Sequence, residues 1–145
     1  MRSPTDLIWL LIWPMLAHIV LVFGLYAWLS VARTLAVRRG IIGYNAFEFT
    51  GGEPPAIARI TRNLSNQFEL PVLFYVSILL LMQFAAVTVW DFWAAWAFIA
   101  GRVLHTAVQT QSSDVRLRGL VFGINALAVF ALVGHVAVLA WRGLT

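Results

Sequence analysis

Cysteine is absent from the 145 residues, which removes disulfides, thiolate metal sites and a nucleophilic thiol of the chain's own. Any sulfur chemistry therefore needs a thiol brought in by a second molecule. Lysine is absent as well, since all ten basic residues are arginine. Charge of either sign is scarce, at 11% of residues against about a quarter in soluble domains. With 61% hydrophobic residues and a mean hydropathy of +0.85, the composition is that of an integral membrane protein.

Long stretches lack charge altogether: Asp6 to Arg33, Glu69 to Asp91, and Arg118 to Arg142. Each exceeds the roughly 20 residues needed to cross a bilayer. The segment Phe92 to Val108 is interrupted only by Arg102 and His105, and reads as a fourth span with two unusual residues. The fold class expected is all-α, a four-transmembrane-helix bundle forming one domain over residues 1–145, with helices near 7–36, 56–83, 90–110 and 117–141. The first uncharged run is much longer than the roughly 7–15 residue core of a signal peptide and no small-residue cleavage site follows it, so it is expected to remain as a span.

The arginines are unevenly placed. Arg33, Arg38, Arg39, Arg59, Arg62, Arg116 and Arg118 lie in or beside the first and third loops, whereas only Arg2 and Arg142 flank the other side. The positive-inside rule then puts both termini outside and loops one and three in the cytoplasm. A basic inner face suits anionic headgroups or an anionic soluble ligand. Nucleic acid is not an expected partner, because no basic stretch lies outside the membrane segments.

Along the chain, Trp9 and Trp13 begin the first helix in the manner of an aromatic belt, and Trp90, Trp93 and Trp96 mark the corresponding level of the third. Gly40 to Pro55, rich in glycine and proline, is a loop, and Pro54 and Pro55 suit the first turn of the second helix. From Arg59 onward, Arg59, Arg62, Asn66 and Glu69 share one helical stripe, opposite an apolar face with Ile60, Leu64, Phe68 and Val72. Pro71 is placed to kink this helix and free the carbonyl of Gln67. Antiparallel geometry sets Glu69 opposite a window holding Arg102 and His105, so Glu69 is the expected counter-charge for Arg102. In the fourth helix Arg118, Phe122 and Asn125 share a face. His18 and His135, both in the outer half, are read as interhelical hydrogen bonds. The three histidines differ too much in depth to hold one metal, and no metal site is expected.

Arg62, Asn66, Glu69, Arg102, His105 and Arg118 thus gather at the inner ends of three helices, as a ligand pocket or as a polar network that holds the helices together. In order, Asn66-x-x-Glu69-x-Pro71, the run Gly101-Arg102-Val103-Leu104-His105-Thr106, and Arg118 heading the last helix resemble the MAPEG superfamily, the membrane-associated proteins of eicosanoid and glutathione metabolism. The resemblance implies a homotrimer that binds glutathione as cosubstrate in clefts between subunits. It implies that Arg62, Asn66, Glu69, Arg102, His105, Gln109 and Phe122 form or line that cleft, and that Arg118 is the catalytic residue beside the glutathione sulfur. A guanidinium there favours thiolate over thiol, and the thiolate is the nucleophile. The sequence departs from the family at Gln109 and Phe122, where many glutathione-using members carry tyrosines. Gly119 stands where a serine can occur, and Ser65 where prostaglandin-synthase-like members carry an arginine.

The function expected is a glutathione-dependent transferase or peroxidase acting on lipophilic small molecules, with membrane lipids around it. Small size and all-arginine usage suggest a bacterial inner membrane. A non-catalytic module binding lipid or a partner in the same cleft is the alternative. A transporter finds less support, because no inverted repeat is visible.

Overall fold

The structure, a computed structural model, describes residues 4–48 and 51–144. Arg2, assigned above to the outer side, lies outside the described residues. All regular structure among these residues is helical: α1 (Pro4–Leu10), α2 (Ile12–Arg38), α3 (Pro55–Ser65), α4 (Leu70–Gln83), α5 (Val89–Gln111) and α6 (Val115–Leu144). Two short 3₁₀ turns, Tyr44–Phe47 and Asn66–Phe68, complete it. Three segments, Leu7–Arg38, Pro55–Gln83 and Val115–Gly143, are long and apolar enough to cross a membrane. The 23-residue α5 packs against α2, α3 and α6 and carries Asp91, Arg102 and His105 on its buried side.

Two of the expected helices are broken, and a proline explains each break. Pro14 has no N–H for the carbonyl of Leu10, and the chain turns at Leu11 before resuming as α2. Pro71 likewise cannot bond the Gln67 carbonyl. The helix expected over 56–83 is accordingly divided into α3, the 3₁₀ turn Asn66–Phe68 and α4, with Glu69 at an irregular φ −98°, ψ −98° between them. Its N-terminus is where the tandem prolines put it, Pro54 as cap and Pro55 as first residue.

Two apolar clusters hold the helices together. One joins Leu11 to Phe74, Ile78 and Leu81 of α4, Ala95, Phe98 and Ile99 of α5, and Ala128, Val129 and Leu132 of α6. The other joins Leu25, Leu29 and Ala36 of α2 to Ile57, Ile60 and Leu64 of α3. Phe74 and Phe98 stack at 4.2 Å in the first. Gly101 lets α5 and α6 approach closely: a Cβ there would lie 2.7 Å from Asn125 Oδ1. Trp9, Trp13, Trp90, Trp93, Trp96 and Trp141 are exposed at one end of the bundle, and Arg33 and Arg38 of α2, Arg59 and Arg62 of α3 and Arg116 and Arg118 of α6 collect at the other, as expected for a protein aligned across a bilayer.

The connections are fixed by specific contacts. Glu53 accepts from Arg33 Nε at 2.7 Å and from Thr61 Oγ1 at 2.6 Å, tying the first loop to α2 and α3, while the Arg33 guanidinium lies 5.0 Å from the Phe47 ring centroid. At the tryptophan end, Asp91 accepts from the Thr88 N–H and Thr88 Oγ1, both at 2.7 Å, capping α5. His135 of α6 also meets that carboxylate, at 2.9 Å, which is the interhelical bond expected of it.

Both α2 and α4 end in the same hydrogen-bonded motif. Ile41 N–H bonds the Ala36 carbonyl and Gly40 N–H that of Val37, with Gly40 at φ 67°. Ala86 and Ala85 repeat the pattern on Leu81 and Met82, but the left-handed position is held by an alanine, at φ 49°. A Cβ is disfavoured there, so Ala85→Gly is expected to stabilise the protein by about 0.5–1 kcal/mol. Thermal unfolding in detergent checks this, and a lowered midpoint would contradict it.

Candidate functional site

The buried face of α5 is a single helical stripe: Asp91, Ala95, Phe98, Arg102, His105 and Gln109. Its spacing alternates between three and four residues, so one side of the helix turns from apolar to polar toward the arginine end. There it meets Arg62 and Asn66 from the α3 side and Arg118, Gly119 and Phe122 from the first turns of α6. Together with Val115 these residues line a cavity of about 280 Å³. Asp114 already bonds the first free N–H groups of α6, accepting from Arg116 N at 2.8 Å and Leu117 N at 3.1 Å. The guanidinium groups of Arg62 and Arg118, rather than the helix terminus, therefore give the cavity its attraction for anions. No carboxylate lines it among the described residues. His105 is 3% exposed, faces the Phe122 ring at 6.3 Å, and leaves its buried Nδ1 without a protein partner.

Behind the cavity Arg102 is completely buried, and its partners are unexpected. Its Nε donates to Gln67 Oε1 at 3.0 Å and an Nη to the Asn66 carbonyl at 2.8 Å. No ion pair joins it to Glu69, whose side chain is exposed. The direct pairing expected of Glu69 is thus replaced by two neutral oxygens, both made available by the break before Pro71, while the Glu69 carboxylate still attracts Arg102 from a distance. The carbonyl that Arg102 uses is that of Asn66, one residue before the one singled out from the sequence.

Arg102 orders a wider network because arginine can only donate. Gln67 must present its oxygen to Arg102, so its amide nitrogen faces the other way and donates to Asn63 O and Oδ1, both at 3.2 Å. The same Gln67 oxygen lies 3.1 Å from His18 Nε2, which must carry the proton. His18 Nδ1 is then the acceptor, and the Tyr75 hydroxyl donates to it at 2.9 Å. His18 makes the interhelical bond expected of it, as part of a chain of side chains crossing the bundle.

Of the residues the sequence nominated, Arg62, Asn66, His105, Gln109, Arg118 and Phe122 meet around one cavity. Glu69 lines a different, larger one of about 670 Å³, which shares Arg62 and Asn66 and is bounded by the first loop. Arg102 borders neither and supports the site from behind. Sequence reasoning missed Asn63 and Gln67, 0% and 2% exposed, and the part Tyr75 plays. The i, i+4 amide pair on the face that holds Ile60 and Leu64 was the available signal.

A model of the MAPEG family matches residues 11–138, a span that includes every residue of the cavity. No curated protein matches the chain significantly.

Gln67 supplies the buried guanidinium with a hydrogen-bond acceptor, whereas Glu69 acts on it only from a distance. Gln67→Leu is expected to cost about 3 kcal/mol or more, leaving Arg102 with one acceptor and His18 with none on its Nε2. Glu69→Gln is expected to change stability by no more than about 0.5 kcal/mol. Denaturant unfolding of the two variants in detergent checks the order, and a more damaging Glu69→Gln would reverse it.

Proposed function

The chain belongs to the MAPEG family, and from that premise we propose that it is a membrane-embedded, glutathione-dependent transferase or peroxidase acting on lipophilic electrophiles or hydroperoxides. The observation that carries the proposal is the convergence of Arg62, His105 and Arg118 on one cavity with no carboxylate in its wall. Glutathione is a tripeptide with two carboxylates and a thiol. Arg62 and Asn66 offer a cation and an amide to its backbone, and Glu69, next to them in the adjoining cavity, offers a carboxylate to its ammonium group. Arg118 is the proposed catalytic residue. A free thiol ionises at about pH 8.5, so a guanidinium close to the sulfur raises the thiolate fraction at neutral pH.

The finer assembly is part of the same proposal: α5 as a fourth span, a homotrimer whose neighbouring copy closes the open side of the cavity, and an inner membrane of bacterial type with the arginine end in the cytoplasm. A buried arginine is tolerable in a spanning α5 because its polar stripe faces the other helices. The rival, a non-catalytic module that holds lipid or a partner in this cleft, draws support from the absence of any hydroxyl among the lining residues, Gln109 and Phe122 included. Mass spectrometry of copurified ligand separates the two.

Calorimetry on the purified protein is expected to detect glutathione binding, and conjugation of a generic aryl halide is expected to follow. Arg118→Gln should lower the conjugation rate at pH 7 on the order of 10²-fold while changing glutathione affinity far less. The reactive form is the deprotonated one, so losing the guanidinium must move the midpoint of the pH–rate profile upward, toward about 8.5. An unchanged profile removes Arg118 from the mechanism, and no binding of glutathione removes the proposal.

A further inference from the structure

Two polar atoms of α5 are closed off inside the protein without a partner among the described residues: Arg102 Nη1 and His105 Nδ1, three residues apart on the buried stripe. Arg102 is 0% exposed and lies behind the cavity that His105 lines. Of the two imidazole nitrogens, Nδ1 is therefore on the protein side with the guanidinium. Nε2 makes no bond to the protein and is not closed off, which makes it the nitrogen that the cavity reaches. A neutral imidazole has one N–H and one bare nitrogen, and its surroundings decide which is which.

Two features put the proton on Nε2. A proton on Nδ1 would be a buried donor with no acceptor, which is rarer in proteins than an acceptor left short of a bond. It would also bring partial positive charge closer to a guanidinium that can itself only donate. The opposing pull comes from Arg62 and Arg118, whose charges on the cavity side favour a bare Nε2. Arg62 is exposed and Arg118 half-buried, so solvent screens both, and Arg102 acts on His105 more strongly than Arg118 does. Gln67 keeps Arg102 dominant: its oxygen and the Asn66 carbonyl hold the cation without adding charge, and Glu69 offsets it only from a distance. We propose that Arg102, held by neutral acceptors, is a positioning residue that fixes the His105 proton on Nε2, so that His105 meets the anion in the cavity as an N–H donor. A carboxylate or thiolate accepts from such a group, whereas an ammonium does not. This deepens the proposed function by adding a donor to the same site, and it rests on that reading only where the anion is glutathione.

Solid-state NMR of the full-length protein in phosphatidylcholine bilayers, with nitrogen-15 in its three histidines, reads the tautomer directly. The His105 signals are assigned by their loss in His105→Gln. In the ligand-free protein near neutral pH, the Nε2–H form is expected to exceed the Nδ1–H form by about ten-fold or more. Arg102→Met removes the charge and Gln67→Glu cancels it, and each is expected to reduce that excess by about three-fold or more. His18, whose proton Gln67 and Tyr75 place on Nε2, reports in the Arg102→Met spectrum that the bundle has kept its fold. A wild-type His105 protonated on Nδ1 overturns the proposal whatever the variants do, and an excess unchanged in both variants removes Arg102 from it. Added glutathione is expected to displace the His105 Nε2 resonance. Glutathione that binds without displacing it would overturn the donor role, whereas glutathione that does not bind at all overturns the proposed function and leaves the tautomer to be decided by the ligand-free spectra.

Discussion

A guanidinium removed entirely from solvent is the constraint to which the rest of the bundle answers. Stripping water from such an ion costs several kcal/mol even after the protein relaxes. Among the described residues no carboxylate bonds to it: Arg102 meets Gln67 Oε1 and the Asn66 carbonyl. Those acceptors exist only because the helix stops. In an unbroken α-helix the Asn66 carbonyl would be committed to Leu70, and Pro71, lacking an N–H, forces the break that releases it. The proline that first suggested a kink thus supplies the bond that makes a buried cation possible.

Once Arg102 is fixed, the registers of three helices are fixed with it. His105 and Gln109 lie three and seven residues further along the same stripe, so anchoring Arg102 aims both at the cavity, where α6 delivers Arg118 and Phe122. On the other side the network ends at Tyr75, which with Ile19, Val22 and Phe68 lines an apolar groove between α2 and the α3–α4 segment. Gln67 therefore stands between a cavity that carries two arginines and an apolar groove.

Much of this was legible in the sequence. Charge-free runs gave the apolar segments, the arginine and tryptophan distributions gave the two ends, and residue spacing brought Arg62, Asn66, His105 and Arg118 to one place. What failed was the phase of the helix around Glu69. A stripe drawn at 3.6 residues per turn assumes continuity, but the three residues Asn66–Phe68 form a 3₁₀ turn, which advances each residue by about 20° more than an α-helix does. After three such residues and the irregular Glu69, the face is rotated, so Glu69, Phe68 and Val72 are exposed while Gln67 is buried. The second failure was chemical. Looking for a counter-charge favoured the carboxylate, although a cation can also be held by neutral oxygens whose remaining bonds are all satisfied.

The choice of an amide over a carboxylate has an electrostatic consequence. A carboxylate in contact with Arg102 would cancel its field within a few ångströms, whereas Gln67 and the Asn66 carbonyl solvate the cation without adding charge and leave only the attraction of the more distant Glu69 to offset its field. With an effective dielectric constant near 20, one such charge is worth about 2 kcal/mol to an anion 10 Å away, and screening by salt is weak for a buried source. His105, on the cavity wall, is one helical turn from Arg102, so the cavity lies within reach of that field. Arg62 and Arg118, nearer to solvent, are more strongly screened. The buried arginine thereby serves two ends at once: it sets the packing of the helices around Gln67, and it biases the adjoining cavity toward negative charge without touching whatever enters it.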